Sequence, residues 1–181
     1  MDINFVPPTS KSEKVYRGKR INVRCDWVDC GLEELVLREV VEHPGAVVIL
    51  TIDHDRNIIL VKQYRHAIKK VLFECPAGTR ELGESALDTA KRELEEEANF
   101  EAAKWSSLGV LHPMPGLSNE VQELFYASEL KSKNGTTDPG EFVEVHKFTL
   151  GQVKKMILEF EITDAKTIAC IYRAELLGLF N

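Results

Sequence analysis

Alternating and continuous runs of apolar residues predict that the chain is built mainly from strands. Between residues 21 and 26 apolar and polar side chains alternate, which is typical of a strand with one buried face. Patterns of this kind extend over residues 19–28 and 32–41. The turn-forming residues 29–31 lie between them, so we expect two neighbouring strands here.

The residues after the break at Pro44-Gly45 predict a second, larger group of elements. Short apolar runs alternate there with segments in which apolar residues recur at helical spacing. Strands interrupted by one central helix and followed by terminal helices predict an α/β sandwich. The expected strands cover residues 46–52, 57–64, 103–111, 121–128 and 142–148, and the expected helices cover about 85–98, 150–160 and 164–179.

The pattern also predicts two parts of different size. Residues 1–43 form an N-terminal set of strands and residues 44–181 form the core, with no repeat or low-complexity linker between them. A small sheet on its own is only marginally stable in water. We therefore expect the N-terminal strands to be covered by another surface.

Composition and charge restrict the functions that need to be considered. The 181 residues correspond to about one domain, and the net charge of −6 disfavours broad binding of nucleic acid. No apolar run approaches the roughly 18 residues that cross a membrane, and the N-terminus lacks a secretory signal. The four cysteines lack the spacing of a metal site, so we expect reduced thiols and a cytoplasmic protein.

The central helix carries a narrow apolar stripe beside a row of acids. At about 100° per residue, Ala90, Leu94 and Ala98 lie within roughly 60° of Leu87, and these positions should face the core.

The acids flank this stripe. Glu93 and Glu97 are one turn apart, and Glu96 lies just beyond them. Like charges at this spacing repel each other, so a compensating cation is expected. Carboxylate oxygens are ligands that Mg²⁺ prefers, and substrate phosphates often complete its coordination. A solvated surface helix is the alternative that the acids alone leave open, with the pairs Lys91–Glu95 and Arg92–Glu96.

The full spacing around the acids resembles the signature of the Nudix hydrolases. That signature places a glycine, a glutamate, and then an arginine with further glutamates at set distances. Asn99 stands where the family has glycine. A position that follows a helix often takes the left-handed conformation, which Asn adopts best after Gly. The matching residues are Gly78, Glu84, Arg92, Glu93, Leu94, Glu96, Glu97 and Phe100.

Segments outside the signature resemble the ADP-ribose pyrophosphatases and the related nucleoside-diphosphate-sugar hydrolases. With them, the resemblance covers about residues 19–177. It implies the α/β/α sandwich of the family, with a small N-terminal β-region through which two chains form a homodimer. The segments are Gln63-Tyr64-Arg65, Phe73-Glu74-Cys75-Pro76-Ala77-Gly78, Pro115, residues 138–145, and Ile162-Thr163-Asp164-Ala165-Lys166-Thr167.

The resemblance implies metal-dependent hydrolysis of ADP-ribose or a nucleoside-diphosphate sugar, giving a nucleoside monophosphate and a sugar phosphate. Two or three Mg²⁺ ions, with Mn²⁺ as the alternative ion, would activate water and offset the charge of the diphosphate. Arg92 is expected to orient the acids. The expected metal ligands are Glu93, Glu96, Glu97 and the backbone carbonyl of Ala77, with Glu84 as a weaker ligand.

The reaction also needs a base and a surface that binds the substrate. Glu141 ends a turn-rich segment, and a base on a mobile loop favours this position. Glu144 is expected either as an additional metal or water contact or as an exposed strand residue. Arg65 is expected to bind a phosphate or to be a plain surface arginine. Trp27 is expected either to stack on the nucleobase across the dimer interface or only to fill that interface.

Two other functions share parts of this pattern. An RNA 5′-end pyrophosphohydrolase carries the same signature, but Pro115, Gln63-Tyr64-Arg65 and the lack of a basic surface argue against it. A non-catalytic Nudix-fold sensor of nucleotide sugars usually lacks part of the acid set, which is complete here. The sequence leaves open the preferred nucleobase and sugar, the choice of ion, and whether Glu141 or Glu144 is the base.

Overall fold

A computed structural model describes residues 4–133 and 142–180. The chain divides into two compact units. The first contains the residues up to Pro44 together with Met114–Glu120, and the second contains Gly45–Pro113 and the residues from Val121 onward. In the part of the chain that is described, no helix combines the length and apolar character needed to cross a membrane.

The first unit is a three-stranded antiparallel sheet in the order β1-β2-β3. Its strands are β1 (Thr9–Arg17), β2 (Asn22–Val28) and β3 (Val36–Glu42). The segment Met114–Glu120 joins the unit because the Val41 amide donates to the Leu117 carbonyl at 2.8 Å. The two strands expected in this part of the chain are β2 and β3. Every residue of β1 is exposed, so an apolar pattern could not define its bounds.

A seven-stranded mixed sheet forms the centre of the second unit. Its main path has the order β10-β5-β4-β9-β8, with β4 and β9 parallel. Two short strands that the apolar pattern did not predict pair with interior strands of this path, β6 with β5 and β7 with β4. The strands are β4 (Ala46–Ile52), β5 (Ile58–Arg65), β6 (Lys70–Glu74), β7 (Ala77–Thr79), β8 (Phe100–Leu111), β9 (Gln122–Ser132) and β10 (Val143–Phe148).

The three expected helices are present and have clear end signals. They are α1 (Ala86–Ala98), α2 (Leu150–Leu158) and α3 (Ala165–Leu176). The side chains of Ser85, Thr149 and Asp164 accept hydrogen bonds from the first turns of the three helices. Asn99 ends α1 at φ 59° and ψ 38°, which confirms the expected left-handed conformation at the position where the family signature has glycine.

The helices cover both faces of the central sheet. Successive residues of a strand point to opposite faces. Val47 and Ile49 of β4 therefore pack with α1, whereas Val48 and Leu50 pack with α2 and α3. This arrangement is an α/β/α sandwich and confirms the expected fold class. It also places the acid-bearing helix α1 on a different face from the two C-terminal helices.

Candidate active site

The buried face of α1 differs from the expected stripe by a small rotation. Ala90, Leu94 and Ala98 are buried as expected, but Leu87 is only half-buried. Glu97, which was placed on the flank, is only 5% exposed. The helix therefore carries a carboxylate at the edge of its packed face, where burial is costly unless hydrogen bonds satisfy the charge.

Glu97 is held by the chain just before the signature glycine. Its Oε2 atom accepts a hydrogen bond from the Ala77 amide at 2.9 Å. Gly78 follows directly, and a Cβ atom at this position would lie 1.8 Å from the carboxyl carbon of Glu93. The absence of a side chain at Gly78 is therefore what leaves room for Glu93 between α1 and β7.

Arg92 links three of the acids into one cluster. Its Nη1 atom donates to Glu93 at 2.8 Å and to Glu96 at 2.9 Å. Its Nε and Nη2 atoms donate to the two carboxylate oxygens of Glu84, at 3.1 and 3.2 Å. The structure thus places the signature arginine where it sets the directions of the acids, as a planar guanidinium with several donors can do.

Glu84 is a strongly stabilised anion within this cluster. The hydrogen bonds from Arg92 lower its pKa from the ordinary value of 4.5 to about 2, although partial burial acts in the other direction. The Thr89 hydroxyl also donates to it at 2.8 Å. The same contacts, with Glu84 contributing most, raise the pKa of Arg92. Glu84 and Arg92 are therefore both charged at neutral pH.

The donor set fits a hard divalent cation. The acids offer only oxygen ligands, and Arg92 pairs with three carboxylates while Glu97 binds the Ala77 amide instead, so the cluster has an excess of negative charge. Within residues 4–133 and 142–180, no three acidic, histidine or cysteine side chains converge as a ready metal cage. The carboxylates are instead hydrogen-bonded to Arg92 and to the Ala77 amide.

Arg65 has a partner for which the sequence assigned no role. Its Nε and Nη2 atoms donate to the two carboxylate oxygens of Glu74, both at 2.7 Å. Glu74 is 1% exposed and also pairs with Lys166 of α3. Glu74 and Lys166 both lie in segments that resemble the subfamily, and this resemblance was the only indication in the sequence that they belong to the site. Their pairing could not be predicted, because it joins residues far apart in the chain.

Of the two candidate bases, the structure describes only Glu144. Glu141 lies outside the described residues. Glu144 of β10 is 72% exposed and lies directly across from Lys62 of β5. Lys62 shares a face with Leu60, which packs with α2 and α3, so Glu144 projects on that face as well. The sheet therefore separates Glu144 from the acids of α1, an arrangement that weighs against a metal contact.

Trp27 lies within the first unit, on the face of the sheet that also carries Lys11. The Lys11 ammonium is 4.3 Å from the centre of its indole ring, a cation–π contact. Asp26 and Val28, which precede and follow Trp27 in the chain, line a cavity of about 500 Å³. Pro115 lines the same cavity. Because neighbouring strand residues point to opposite faces, Trp27 and this cavity lie on different sides of the sheet.

Comparisons with known proteins identify several similar sequences. The NUDIX domain family model matches residues 41–169. The ADP-ribose pyrophosphatase of Bacillus subtilis (strain 168) is 36% identical over 170 residues, which cover 93% of this chain and 92% of that protein. A Bacillus methanolicus protein named methanol dehydrogenase activator is 34% identical, with coverage of 95% and 94%. The ADP-ribose pyrophosphatase of Mycobacterium tuberculosis (strain ATCC 25618 / H37Rv) is 34% identical, with coverage of 89% and 79%.

A solved structure shows the same fold. The crystal structure of an ADP compounds hydrolase superposes with a TM-score of 0.81 at 21% identity, covering 96% of this chain and 95% of that one.

Proposed function

The chain belongs to the Nudix family and is a Nudix pyrophosphatase, and we propose that it hydrolyses the diphosphate of ADP-ribose and of nucleoside-diphosphate sugars. With ADP-ribose the products would be AMP and ribose 5-phosphate. The observation that carries the proposal is the acid cluster of α1, ordered by Arg92 and set beside Ala77 and Gly78. Two relatives of similar length that are named ADP-ribose pyrophosphatase support the choice of ADP-ribose.

We propose Mg²⁺ as the cofactor, in two or three ions, with Mn²⁺ as a substitute. Carboxylates and a backbone carbonyl are the hard ligands that such ions take. The ions, when bound, would lower the pKa of a coordinated water and offset the charge of the diphosphate. The residues that would hold them are Glu93, Glu96, Glu97 and the carbonyl of Ala77, with Glu84 as a weaker ligand.

Hydrogen bonds within the chain orient the expected metal ligands without any bound ion. Arg92 keeps Glu93 and Glu96 on one side of α1, and the Ala77 amide keeps Glu97 beside the chain that enters β7. Because the cluster carries more negative than positive charge, it repels a diphosphate on its own. Catalysis therefore depends on cations, and removing them should abolish turnover.

We propose Glu141 as the general base, the group that takes the proton of the attacking water. Glu141 stands two residues before Val143, and Val143 pairs with Gln63 of β5. The same strand carries Arg65, the candidate phosphate-binding arginine. The position of Glu144 on the opposite face supports Glu141 over Glu144 for this role.

An assay with a substrate panel tests the function. Purified protein is incubated with ADP-ribose, GDP-mannose, UDP-glucose or capped RNA, and a phosphatase releases phosphate from any monoester product. We expect Mg²⁺-dependent release from ADP-ribose, with AMP identified by chromatography, and no release after the ions are removed with EDTA. Release only from capped RNA, or equal release in EDTA, would show that the proposal is wrong.

The similarity to the methanol dehydrogenase activator supports a second candidate, a regulatory action on a dehydrogenase. The 34% identity extends over 95% of the chain, which is as complete as the match to the B. subtilis pyrophosphatase. Dehydrogenases bind NAD, a dinucleotide that also contains a diphosphate. Adding the protein to an NAD-dependent alcohol dehydrogenase should change its turnover, and a Glu97→Gln variant should not. An unchanged rate with the wild-type protein would exclude this candidate.

A further inference from the structure

Four charged side chains from three separate segments form one network at the side of the central sheet. Arg65 of β5 binds Glu74 of β6 through two hydrogen bonds of 2.7 Å. Lys166 of α3 pairs with the same oxygen of Glu74 that accepts from Arg65 Nη2, and also with Asp164 at 2.8 Å. Positive and negative charges therefore alternate along the network.

The network is mostly buried, so its charges interact strongly. Glu74 is 1% exposed, and the side chains of Lys166 and Asp164 are each 14% exposed. Burial raises the pKa of Glu74, but the hydrogen bonds from Arg65 and the charge of Lys166 outweigh it and keep this pKa below its ordinary value. A buried carboxylate that lost one of these partners would be left only partly compensated.

One end of the network opens to solvent near the acid cluster. The side chain of Arg65 is 39% exposed, in contrast to its partner Glu74. The hydrogen bonds that Arg65 donates to Glu74 contribute most to the raised pKa of Arg65, and the charge of Glu97 contributes as well. Arg65 also shares a face of β5 with Ile59, which packs with α1, so the exposed guanidinium lies on the α1 side of this strand.

The same residues fix the chain that leads into the site. Asp164 accepts hydrogen bonds from the Thr167 amide at 3.0 Å and from its hydroxyl at 2.6 Å. The Thr167 hydroxyl in turn accepts from the Cys75 amide at 2.7 Å. Cys75 follows Glu74 directly and lies two residues before Ala77, so α3 anchors both the network and the start of the signature segment.

We propose that Glu74 and Lys166 are positioning residues for Arg65 and that together they present its guanidinium to the diphosphate of the substrate. Glu74 holds two nitrogens of the planar group, which fixes its orientation. Lys166 shares the charge of Glu74, so this carboxylate neutralises less of the Arg65 charge and repels the diphosphate less. The inference rests on the proposed function, because it requires a diphosphate ligand.

A double-mutant cycle tests whether Glu74 acts through Arg65. Calorimetry measures the Kd of ADP-ribose, and separately of inorganic pyrophosphate, each as its non-hydrolysable methylene-bridged analogue with Mg²⁺ present, so that the cations offset the charge of the acids and no turnover occurs. Glu74→Gln should weaken binding about tenfold in the wild-type background, since it removes a charge-assisted bidentate anchor. In an Arg65→Ala background the same change should have no further effect, because the residue it positions is gone.

Lys166 provides an independent arm of the test. Lys166→Met should weaken binding by about three- to tenfold, and Lys166→Arg should restore most of the loss because it keeps the charge. If Glu74→Gln does not fold, as judged by circular dichroism, the cycle is run with Lys166→Met and Arg65→Ala. Lys147→Met is the matched control, since it removes the cation that pairs with the buried Asp53 elsewhere in the fold. Its Kd should equal that of the wild type.

The outcomes separate this inference from the proposed function. Equal weakening by Glu74→Gln in both backgrounds would overturn the positioning role, and so would a loss of the same size in Lys147→Met. If Glu74→Gln weakens pyrophosphate binding in the wild-type background but not in the Arg65→Ala background, the positioning role is supported even if ADP-ribose does not bind. Failure to bind ADP-ribose would then contradict only the proposed substrate. A wild-type protein that binds neither ligand would overturn both.

Discussion

At the residue scale, Gly78 explains why the signature needs a glycine. An added Cβ would meet the carboxyl group of Glu93 at 1.8 Å, a contact that cannot exist. The neighbour is the end of a flexible side chain, so Glu93 would move and the backbone would not. The glycine is therefore needed more for the orientation of the Glu93 carboxylate than for the stability of the fold.

Gly78→Ala should separate activity from stability. We expect kcat/KM to fall by about ten- to a hundredfold, because Glu93 is displaced from its place beside β7. The unfolding free energy should change by about 1 kcal/mol or less, because a side chain can absorb the clash. Gly151→Ala is the control: its added Cβ has 4.0 Å to Thr149, so activity should be unchanged. Equal activity of Gly78→Ala and the wild type would contradict this role of the glycine.

Glu97→Gln tests the metal assignment directly. Glutamine can still accept the hydrogen bond from the Ala77 amide, so the fold should persist, and less repulsion within α1 should leave the helix intact or slightly more stable. Turnover with Mg²⁺ should nevertheless fall by about 100-fold or more, because one anionic ligand is lost. Steady-state kinetics together with a thermal melt measure both effects. Near-normal turnover would remove Glu97 from the site.

The lowered pKa of Glu84 predicts how stability depends on pH. A carboxylate whose pKa is 4.5 when unfolded and about 2 when folded stabilises the protein fully above pH 4.5. The contribution is lost as the pH falls towards 2, because the unfolded chain then binds the proton more readily. The melting temperature of Glu84→Gln should therefore lie below that of the wild type at pH 7, with the gap closing between pH 4.5 and 2. A constant gap over this range would show that Glu84 is not the group responsible.

At the scale of elements, the register of strand β10 supports one of the two candidate bases over the other. Glu144 is in register with Lys62 and projects on the face of α2 and α3, whereas the acids of α1 lie beyond the other face. Glu144→Gln should therefore change kcat by less than about threefold. Glu141→Gln should lower kcat by about 100-fold or more and leave KM nearly unchanged, because a base acts mainly in the transition state. The opposite ranking of the two variants would assign the base to Glu144.

The same scale shows which elements local pattern can predict. The strands β4 and β5 were expected because burial on both faces gives a continuous apolar run. The three helices were expected because burial on one face imposes a helical period on their residues. The strand β1 has no buried residue, so no apolar period marks it. The short strand β7 exists because three residues pair with Ala46–Val48 of β4, a contact that no local pattern specifies.

At the scale of the whole molecule, the first unit raises the question of assembly. Its strand β1 is exposed along its whole length, and Val15, Tyr16 and Leu37 expose large apolar side chains. An exposed edge strand of this kind favours association with a second surface. We therefore retain the proposal of a homodimer in which Trp27 of one chain contacts substrate bound by the other.

Subunit complementation tests this proposal. Light scattering should first give the mass of two chains for the full-length protein. Glu97→Gln and Trp27→Ala chains are then unfolded, mixed and refolded together, and activity is measured at low ADP-ribose concentration. If the site draws on both chains, half of the dimers are mixed and each has one intact site, so about a quarter of wild-type activity should return. Activity no higher than the sum of the two parents, or the mass of a single chain, would contradict the proposal.

Deleting the N-terminal strands is a less suitable test of the first unit than point variants are. Met114–Glu120 belongs to this unit, and Leu117 and Ser118 both hydrogen-bond to Val41. Deleting residues 1–42 would therefore also remove the partners of a segment from the middle of the chain. Point variants leave these contacts in place.

The sequence by itself determined the family, the class of fold, and the helix that carries the acids. These follow from local spacing: a helix of known pitch brings Glu93, Glu96 and Glu97 to one side, whatever surrounds it. The left-handed turn at Asn99 is local in the same sense, since it depends on the end of one helix.

Only the tertiary structure decided how those residues are held and which neighbours they have. Arg92 reaches Glu84 across a helix start, Glu97 meets the Ala77 amide, and Glu74 joins Arg65 to Lys166. Each of these contacts joins positions that are brought together by strand register and by the packing of helices on opposite faces of the sheet. The free energy that selects them comes from burial and pairing across the whole fold, so no local pattern in the chain records them.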